Sequence, residues 1–359
     1  MVLEVFHPRE EDTERVSHEA LHTTVAALFE RMGVSSEDSQ LGADVLVSAD
    51  LRGVDSHGVS NMLRSYINGY NDGRLNPRPN WRVVRETLST ANIDCDRGLG
   101  VMVAPKAMEI AIQKAANTGI GVVTLGNGRH LGMAAYHAML ALEHDMIGTC
   151  LTAPGPQVLP TFGAEVRLGT NPIAVAAPAK EEPPFVFDAA TSSVATNKIV
   201  LARRLDAVIP GGLVADSSGT PILEPSAVPQ GYKLLPAGST REQGSHKGYG
   251  LACVVEILCN VLSGTGLPMV NARGTTNHFV AAYRIDAFTD VAEFKETMDM
   301  LLRTLKETPP APGHERVLVP GQPEAEEEAD RRANGIPLHK EVVEWFGNIC
   351  SELSVPNLL

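Results

Sequence analysis

The sequence predicts a protein of the α/β or α+β class, with helical segments at both ends and alternating strands and helices between them. Residues 16–73 carry apolar side chains at helical spacing. Residues 81–285 alternate strand-like apolar runs with helical patterns, as in an α/β or α+β catalytic domain. The tail from residue 291 returns to helical periodicity. These three observations define the expected order of elements.

Three helices are predicted in the first segment of the chain. The first ends at Gly33 and the third at Gly73, because glycine commonly follows the last residue of a helix. Pro77 and Pro79 then interrupt the pattern. We therefore expect a helical segment over residues 1–76.

The middle segment, residues 77–285, is predicted to be the catalytic and cofactor-binding domain. Its strand-like runs cover residues 81–85, 90–93, 121–125, 148–152, 185–188 and 279–285. Its helical patterns cover residues 105–117, 133–145, 197–205 and 250–262. A stretch rich in glycine, proline and serine over residues 210–245 shows little periodicity, and loops of that length are often functional. The tail, residues 286–359, is predicted to be helical.

Composition and charge exclude several classes of function. The 359 residues include 30 Lys and Arg against 43 Asp and Glu, a formal charge of −13, which disfavours nucleic acids and membranes as partners. No run approaches the roughly 20 apolar residues of a membrane-spanning helix. Five scattered cysteines and an acidic N-terminus without signal-peptide features predict a cytoplasmic protein.

Two short motifs suggest other functions. His18 and His22 fit the HExxH pattern of zinc hydrolases, although Ser17 can cap the helix and no third ligand follows at suitable spacing. Residues 126–132 follow a strand-like run, as a dinucleotide-binding turn does, but their G-x-G-x-x-x-G spacing is one residue too long. A zinc hydrolase is kept as a distant alternative, and no metal site is expected.

A stronger candidate is the segment ADLRGVDSHGV, which joins the second and third predicted helices. It places Ser56 and His57 at a helix start, where the partial positive charge disfavours protonation of the imidazole and keeps it available as a base. Alternatively, Asp55 or Ser56 only caps the helix and the histidine is a bystander. His130, between a glycine-rich turn and a helix, is either a second site residue or a surface histidine.

Two further segments suit a cofactor. Residues 245–250 place Lys247 and two glycines at the start of an apolar helix, where backbone N–H groups and a positive charge suit phosphate. The alternative is a glycine-containing loop before a buried helix. Residues 187–192 end a strand with Asp188 and small hydroxyl residues, which suits a cofactor or proton-relay edge.

Together these segments resemble the type 2 malate/L-lactate dehydrogenase family, which also contains ureidoglycolate, sulfolactate and diketogulonate oxidoreductases and cyclic-imine reductases. The matching pieces are ADLRGVDSHGV, GRHLGMAAY, LGTNPIAVAAP, FDAATSSVA, HKGYGLA and VLVPGQPE followed by GIPL. The resemblance implies a non-Rossmann, L-sulfolactate dehydrogenase-like fold, with a helical domain from both chain ends and a mixed-sheet domain that binds NAD or NADP, NAD being favoured. It also implies a homodimer or a higher oligomer.

The resemblance implies roles for individual residues. Ser56 and His57 match the family's Ser-His pair, and Asp188 matches an acid that supports it. His130 matches a second histidine assigned to proton transfer or substrate binding. The residues implied to contact the cofactor are Asp188, Ala189, Ala190, Thr191, His246, Lys247, Gly248, Pro320, Gly321 and Gln322.

The chain departs from the family pattern at the substrate side. Asn61 stands where many members have an arginine that grips a substrate carboxylate, and Arg64, one turn further along the same helix, is the candidate replacement. The implied reaction is hydride transfer between nicotinamide and a 2-hydroxy acid of the malate or lactate type. A ureidoglycolate or sulfolactate dehydrogenase, or a reductase of a cyclic imine or keto sugar acid, remains an alternative.

Overall fold

The computed structural model describes residues 9–271 and 274–359 as a group of helices packed beside a seven-stranded mixed sheet. The helices are α1 (His18–Arg31), α2 (Ser36–Leu51), α3 (Val59–Asn71), α4 (Gly100–Thr118), α5 (Ala134–Met139), α6 (Thr196–Arg204), α7 (Ser245–Glu256), α8 (Val291–Lys306), α9 (Gln322–Asn334) and α10 (Lys340–Leu353). Within these two ranges, no helix has the length and apolar character needed to cross a membrane.

Thirteen strands accompany these helices in the described chain. They are β1 (Thr13–Val16), β2 (Arg82–Glu86), β3 (Thr90–Asp94), β4 (Ile120–Gly126), β5 (Met146–Ala153), β6 (Ile173–Ala177), β7 (Phe185–Ala189), β8 (Val208–Ile209), β9 (Val214–Ala215), β10 (Ser226–Ala227), β11 (Lys233–Leu234), β12 (Asn277–Arg284) and β13 (Ile336–His339). The large sheet has the order β2-β3-β4-β12-β5-β6-β7. Only β3 and β4 are parallel neighbours in it.

The two ends of the chain share one apolar core. Helices α1, α2 and α3 pack with α10, and β1 pairs antiparallel with β13 so that Val16 lies opposite Ile336. Phe29 of α1 and Phe346 of α10 are both fully buried in this core. The helical domain built from both chain ends is therefore confirmed.

The centre of the sheet is covered on both faces. Val280 of β12 packs in the core formed with α4 and α5, whereas its neighbours Phe279 and Ala281 pack against α7 and the π-helical turn that follows it. This alternation follows from the two-residue period of a strand. Since the sheet is mixed and mostly antiparallel, the non-Rossmann fold class is confirmed.

Helix α8 packs away from the other C-terminal helices. Its buried Asp299 accepts hydrogen bonds from the backbone N–H groups of Lys180, Glu181 and Glu182, in the turn between β6 and β7. The domain bounds 1–76, 77–285 and 286–359 remain a prediction.

Several elements differ from the sequence-based expectation. Helix α4 begins at Gly100 and contains Pro105, because the side chains before the proline are buried and stabilise the extra turn. Strand β6 was not predicted, since its sequence IAVAA has too many alanines to show a strand pattern. The stretch over residues 210–245 contains three short strands, in which β9 pairs with β11 and β10 pairs with β8, directly before the stretch.

Candidate active site

Ser56 and His57 lie on the loop between α2 and α3. Ser56 Oγ and His57 Nδ1 are 2.9 Å apart, and the imidazole is partly exposed. Desolvation, followed by the positive charge of Lys198, lowers the pKa of His57 to about 4. His57 is therefore neutral near pH 7, and its imidazole is available to accept a proton.

Buried polar groups hold this loop from the protein interior. Asp50 Oδ2 accepts the backbone N–H of Val59 at 2.8 Å, so a carboxyl group from α2 caps α3. Gly58 permits the close approach, because a Cβ there would lie 1.9 Å from Asp50 Oδ1. Arg331 of α9 donates from Nη1 to Asp50 O and to Asp55 Oδ1, both at 2.6 Å. The C-terminal helix α9 thus fixes the loop that carries His57.

Two amide side chains hold the same loop from other sides. Asn61 Nδ2 donates to Asp55 O at 2.7 Å, and Asn197 Nδ2 donates to Ser56 O at 2.7 Å. The amide of Asn61 is thus engaged with the backbone beside His57. This bond gives Asn61 a structural part in addition to its predicted one toward substrate.

His130 lies on the loop after β4 and meets His57 in the folded chain. The two rings are stacked, with centroids 5.6 Å apart and an interplanar angle of 14°. His130 Nδ1 accepts the backbone N–H of Gly132 at 3.2 Å and lies 2.6 Å from Tyr66 Oη. Since a backbone N–H only donates, Nδ1 is unprotonated, Tyr66 donates to it, and Nε2 carries the hydrogen. Desolvation, then the charge of His57, lowers the pKa of His130 to about 3.

Asp188 lies at the end of β7 and is exposed to water. Its Oδ2 accepts the backbone N–H of Ala135 at 2.7 Å. Desolvation, and to a smaller extent the charge of Glu324, raises the pKa of Asp188 to about 6. Because Ala135 is five residues from His130, this bond ties the end of β7 to the His130 loop.

The predicted cofactor segments come together around β7. Thr191 O, just after β7, accepts the backbone N–H of Ala237 at 2.9 Å. Ala237 in turn contacts the first turn of α7 so closely that a Cβ on Gly248 would lie 2.5 Å from its backbone. On the other edge of β7, Val186 donates its backbone N–H to Pro320 O at 3.3 Å. The segments over residues 188–191, 246–248 and 320–322 thus line one region of the sheet.

Two basic side chains, Arg241 and Lys247, lie at the start of α7 and in the turn before it, with the carboxylate of Glu242 beside Arg241. His246 Nδ1 lies 3.0 Å from Arg241 Nη1, Lys247 is exposed beside them, and the first turn of α7 has no acidic residue. Cations are unfavourable at the positive end of a helix unless an anion balances them. This arrangement fits a phosphate-containing group such as the diphosphate of a nicotinamide cofactor.

Arg64 points to the C-terminal helix. Its Nη2 pairs with Glu341 Oε1 at 3.0 Å, and its guanidinium lies 5.1 Å from the ring centroid of Trp345. Arg204 approaches the same carboxylate at 3.7 Å. Asn61, Arg64 and Arg204 line a polar cleft of about 260 Å³ beside the His57 loop.

The HExxH histidines are engaged elsewhere. His22 Nε2 pairs with Asp44 Oδ1 at 2.8 Å, and His18 Nε2 lies 3.2 Å from Glu19. The described residues contain no group of three or more His, Cys, Asp or Glu side chains placed to hold a metal ion. The geometry gives the zinc hydrolase alternative no support.

Sequence reasoning missed several residues of this site. Tyr66 occupies the apolar stripe of α3, and the only available signal is that a buried tyrosine hydroxyl needs a partner. Lys198 lies in α6 directly after the FDAATSSVA segment, which is the signal that could have included it. Arg331 lies in an acidic and basic stretch typical of a solvated helix face, yet it is only 4% exposed.

Comparison with known proteins identifies the family. A family model described as malate/L-lactate dehydrogenase matches residues 16–346. The chain belongs to this family. It is 38% identical over 356 residues to malate dehydrogenase from Pyrococcus abyssi, covering 97% of this chain and 98% of the relative.

Two further relatives of this dehydrogenase agree. L-sulfolactate dehydrogenase from Methanocaldococcus jannaschii is 38% identical over 336 residues, covering 91% of this chain and 94% of the relative. The solved structure of malate dehydrogenase from Pyrococcus horikoshii OT3 superposes with a TM-score of 0.88 at 37% identity, covering 96% and 97% of the two chains. The resemblance is confirmed, and the chain is a hydroxy acid dehydrogenase of a family that implies a nicotinamide cofactor.

Proposed function

We propose that this dehydrogenase interconverts a 2-hydroxy acid and its 2-oxo acid, with malate and oxaloacetate as the first candidates and lactate and pyruvate as the second. The observation that carries the proposal is the pair of stacked, partly exposed imidazoles of His57 and His130, both neutral near pH 7. A neutral imidazole suits removal of a hydroxyl proton. The names of the relatives support the substrate class.

The proton steps are assigned to this pair. The nicotinamide cofactor, when bound, supplies or accepts the hydride. In the oxidation direction His57 accepts the hydroxyl proton, and Ser56 holds the imidazole through its Nδ1. His130 presents an Nε2–H, because Tyr66 and Gly132 occupy its Nδ1, and so donates a hydrogen bond to a substrate oxygen.

Anionic substrates favour this chemistry. A carboxylate beside the two imidazoles stabilises their protonated forms and raises both pKa values from about 4 and about 3 toward neutrality. His57 then holds the proton after oxidation and returns it during reduction. Substrate binding thus prepares the histidine for both directions.

Asn61 and Arg64 are proposed to line the substrate side. Both border the cleft beside the His57 loop. Arg64 is also paired with Glu341 and stacked on Trp345, so Glu341 competes with a substrate carboxylate for its guanidinium. Sulfolactate is an alternative substrate after malate and lactate, since a relative that is 38% identical carries that name and the sulfonate of sulfolactate replaces the distal carboxylate of malate.

The cofactor and assembly proposals rest on two surfaces. The basic start of α7 and the β7 edge are proposed to hold NAD, with NADP as the alternative.

Along α7 and the following π-helical turn, four apolar side chains are 46–55% exposed, and we propose that they form a homodimer contact. They are Leu251, Val254, Ile257 and Val261. A cytoplasmic location agrees with the five free cysteines.

The test follows the absorbance of NADH and, separately, NADPH at 340 nm with oxaloacetate, pyruvate, 3-sulfopyruvate, other 2-oxo acids and a cyclic imine. Rapid oxidation with oxaloacetate supports malate as the substrate, rapid oxidation with pyruvate supports lactate, and preference for 3-sulfopyruvate supports sulfolactate. Turnover of the cyclic imine alone would replace all three with an imine reductase. Silence with every substrate, while NADH still binds, would overturn the proposed reaction.

A further inference from the structure

We propose that His137 and His278 are positioning residues for His130, because these two buried imidazoles hold the backbone carbonyls on either side of it. The inference rests on the proposed function, in which His130 contacts substrate. Neither residue lies in one of the segments on which the family resemblance rests. Both lie in the interior, beneath the loop that follows β4.

The carbonyls of the residues directly before and after His130 each accept a hydrogen bond from an imidazole. His278 Nε2 lies 2.9 Å from Arg129 O, and His137 Nε2 lies 2.8 Å from Leu131 O. A carbonyl oxygen only accepts, so both imidazoles carry hydrogen on Nε2. The backbone before and after His130 is therefore fixed by side chains.

The position of His278 is set by the sheet. It lies on β12, opposite Leu125 of β4 and Thr152 of β5. Its Nδ1 lies 2.8 Å from Thr152 Oγ1. Since Nε2 donates to the loop, Nδ1 accepts from the Thr152 hydroxyl, and both nitrogens of the ring are satisfied.

His137 holds its carbonyl at a cost to the fold. Both histidines have no exposed surface, and His137 Nδ1 has no hydrogen-bond partner among the described residues. An unpartnered buried nitrogen is unfavourable, and an apolar residue there would avoid that cost. Desolvation lowers the pKa of His137 to about 4 and that of His278 to about 3, so both remain neutral donors near pH 7.

The two carbonyls differ in the number of hydrogen bonds that they accept. Arg129 O also accepts the backbone N–H of Gly100 at 3.1 Å, so it keeps one partner when His278 is replaced. In the described part of the chain, Leu131 O depends on His137. Leu131 O and the N–H of Gly132 belong to the same peptide group, and this N–H donates to His130 Nδ1. Loss of the hydrogen bond from His137 therefore frees the peptide group that orients the His130 ring. We therefore expect His137 to matter more than His278.

The experiment compares His137→Leu with His137→Gln, because glutamine keeps an N–H donor near the position of Nε2. His137→Leu should lower kcat about 30- to 100-fold, as expected when a hydrogen-bond donor to the substrate is displaced, with the cofactor KM changed less than about threefold. His137→Gln should recover kcat to within about fivefold of the wild type. His278→Leu should lower kcat by about tenfold.

A matched control separates positioning from loss of stability. Leu28→Ala empties a buried site in α1, far along the chain from this loop, and should lower the Tm without changing kcat at temperatures where the protein is folded. Equal kcat losses in His137→Leu and His137→Gln would overturn the proposal, as would a kcat of His137→Leu within about threefold of the wild type.

A second measurement does not require turnover. In protein labelled with ¹⁵N-histidine, the His130 ring should show an unprotonated Nδ1 and a protonated Nε2, and His137→Leu should mix the two tautomers. Unchanged His130 shifts in that variant would overturn the positioning role. If the wild type turns over no substrate, the proposed function fails while the NMR result still decides this inference.

Discussion

The two histidines of the site are held by different kinds of contact. The His57 loop is fixed by charged groups from distant segments, since Arg331 of α9 binds both Asp55 and the carbonyl of Asp50. The His130 loop is fixed by neutral donors, with Tyr66 on the ring and buried imidazoles on the backbone. The His57 loop thus depends on an ion pair in addition to neutral hydrogen bonds, whereas the His130 loop is held by neutral hydrogen bonds.

Because of this difference, the two loops of one site should respond differently to mutation and to acid. A buried ion pair is costly to break on one side, because the remaining charge is left without a partner. Buried neutral imidazoles are destabilised when acid protonates them, because the charged form is removed from water. Mutation of α9 should therefore disturb His57, whereas acid should disturb the surroundings of His130.

The largest effect is expected from the imidazoles themselves. His57→Ala should lower kcat by about 10²–10⁴-fold, the loss typical of a general acid/base, with cofactor binding largely kept. His314→Ala removes an exposed histidine and should leave kcat unchanged. Steady-state kinetics decide the matter. Normal turnover in His57→Ala would move proton transfer to His130 and reverse the roles in the comparison.

Breaking the ion pair comes next. Arg331→Met leaves the Asp55 carboxylate without the guanidinium and should lower the free energy of unfolding by about 3–5 kcal/mol, with a fall in kcat because the His57 loop loosens. Arg332→Met, on the exposed face of the same helix, should change the free energy of unfolding by less than about 0.5 kcal/mol. Urea unfolding and steady-state kinetics measure the two effects in each variant. Equal effects of the two variants would contradict the assignment.

A smaller effect is expected from the neutral contact on His130. Tyr66→Phe removes one of the two donors to Nδ1 and should lower kcat by about tenfold, the equivalent of one hydrogen bond. Tyr70→Phe is the matched control, because its hydroxyl, one turn along α3, makes only a 3.7 Å contact with Met102 Sδ. Loss of activity in Tyr70→Phe alone would show that ring contacts in α3, rather than the bond to His130, matter.

The smallest effect is the response to acid. His130, His137 and His278 have pKa values lowered to about 3, 4 and 3 from the usual 6.5, so between these limits the unfolded chain binds protons that the folded chain does not. Their contribution to stability is complete above about pH 6.5 and is lost as the pH falls toward the folded-state pKa values of about 3 to 4. Burial raises the pKa of Asp50 beneath the His57 loop, which has the opposite sign, because there the folded state binds the extra proton.

Hydrogen exchange at pH 7 and pH 5 tests this contrast. Peptides covering residues 126–133 should lose more protection at pH 5 than peptides covering residues 55–62, after correction for the intrinsic exchange rate. His278→Gln should reduce the difference, since it removes one of the buried imidazoles. Equal loss of protection in both peptides would show that the two loops open together.

Much of the framework follows from sequence. The apolar period predicts α1, α2 and α3, and the segment motifs identify the family and nominate both histidines. Strand β6 is missed because its alanines carry no strand signal. Arg331 is missed because local charge patterning cannot reveal that a basic side chain in an acidic helix is buried against a loop 276 residues away.

The sequence by itself determined most of the helices, the mixed class of the fold, the family and the candidate residues of the site. The tertiary structure decided that the His57 and His130 rings stack, which nitrogen of His130 carries the hydrogen, and that Arg64 faces Glu341. The physical reason is that periodicity and motifs report local conformation, whereas tautomers, pKa values and ion pairs depend on which distant groups are brought into contact and removed from water.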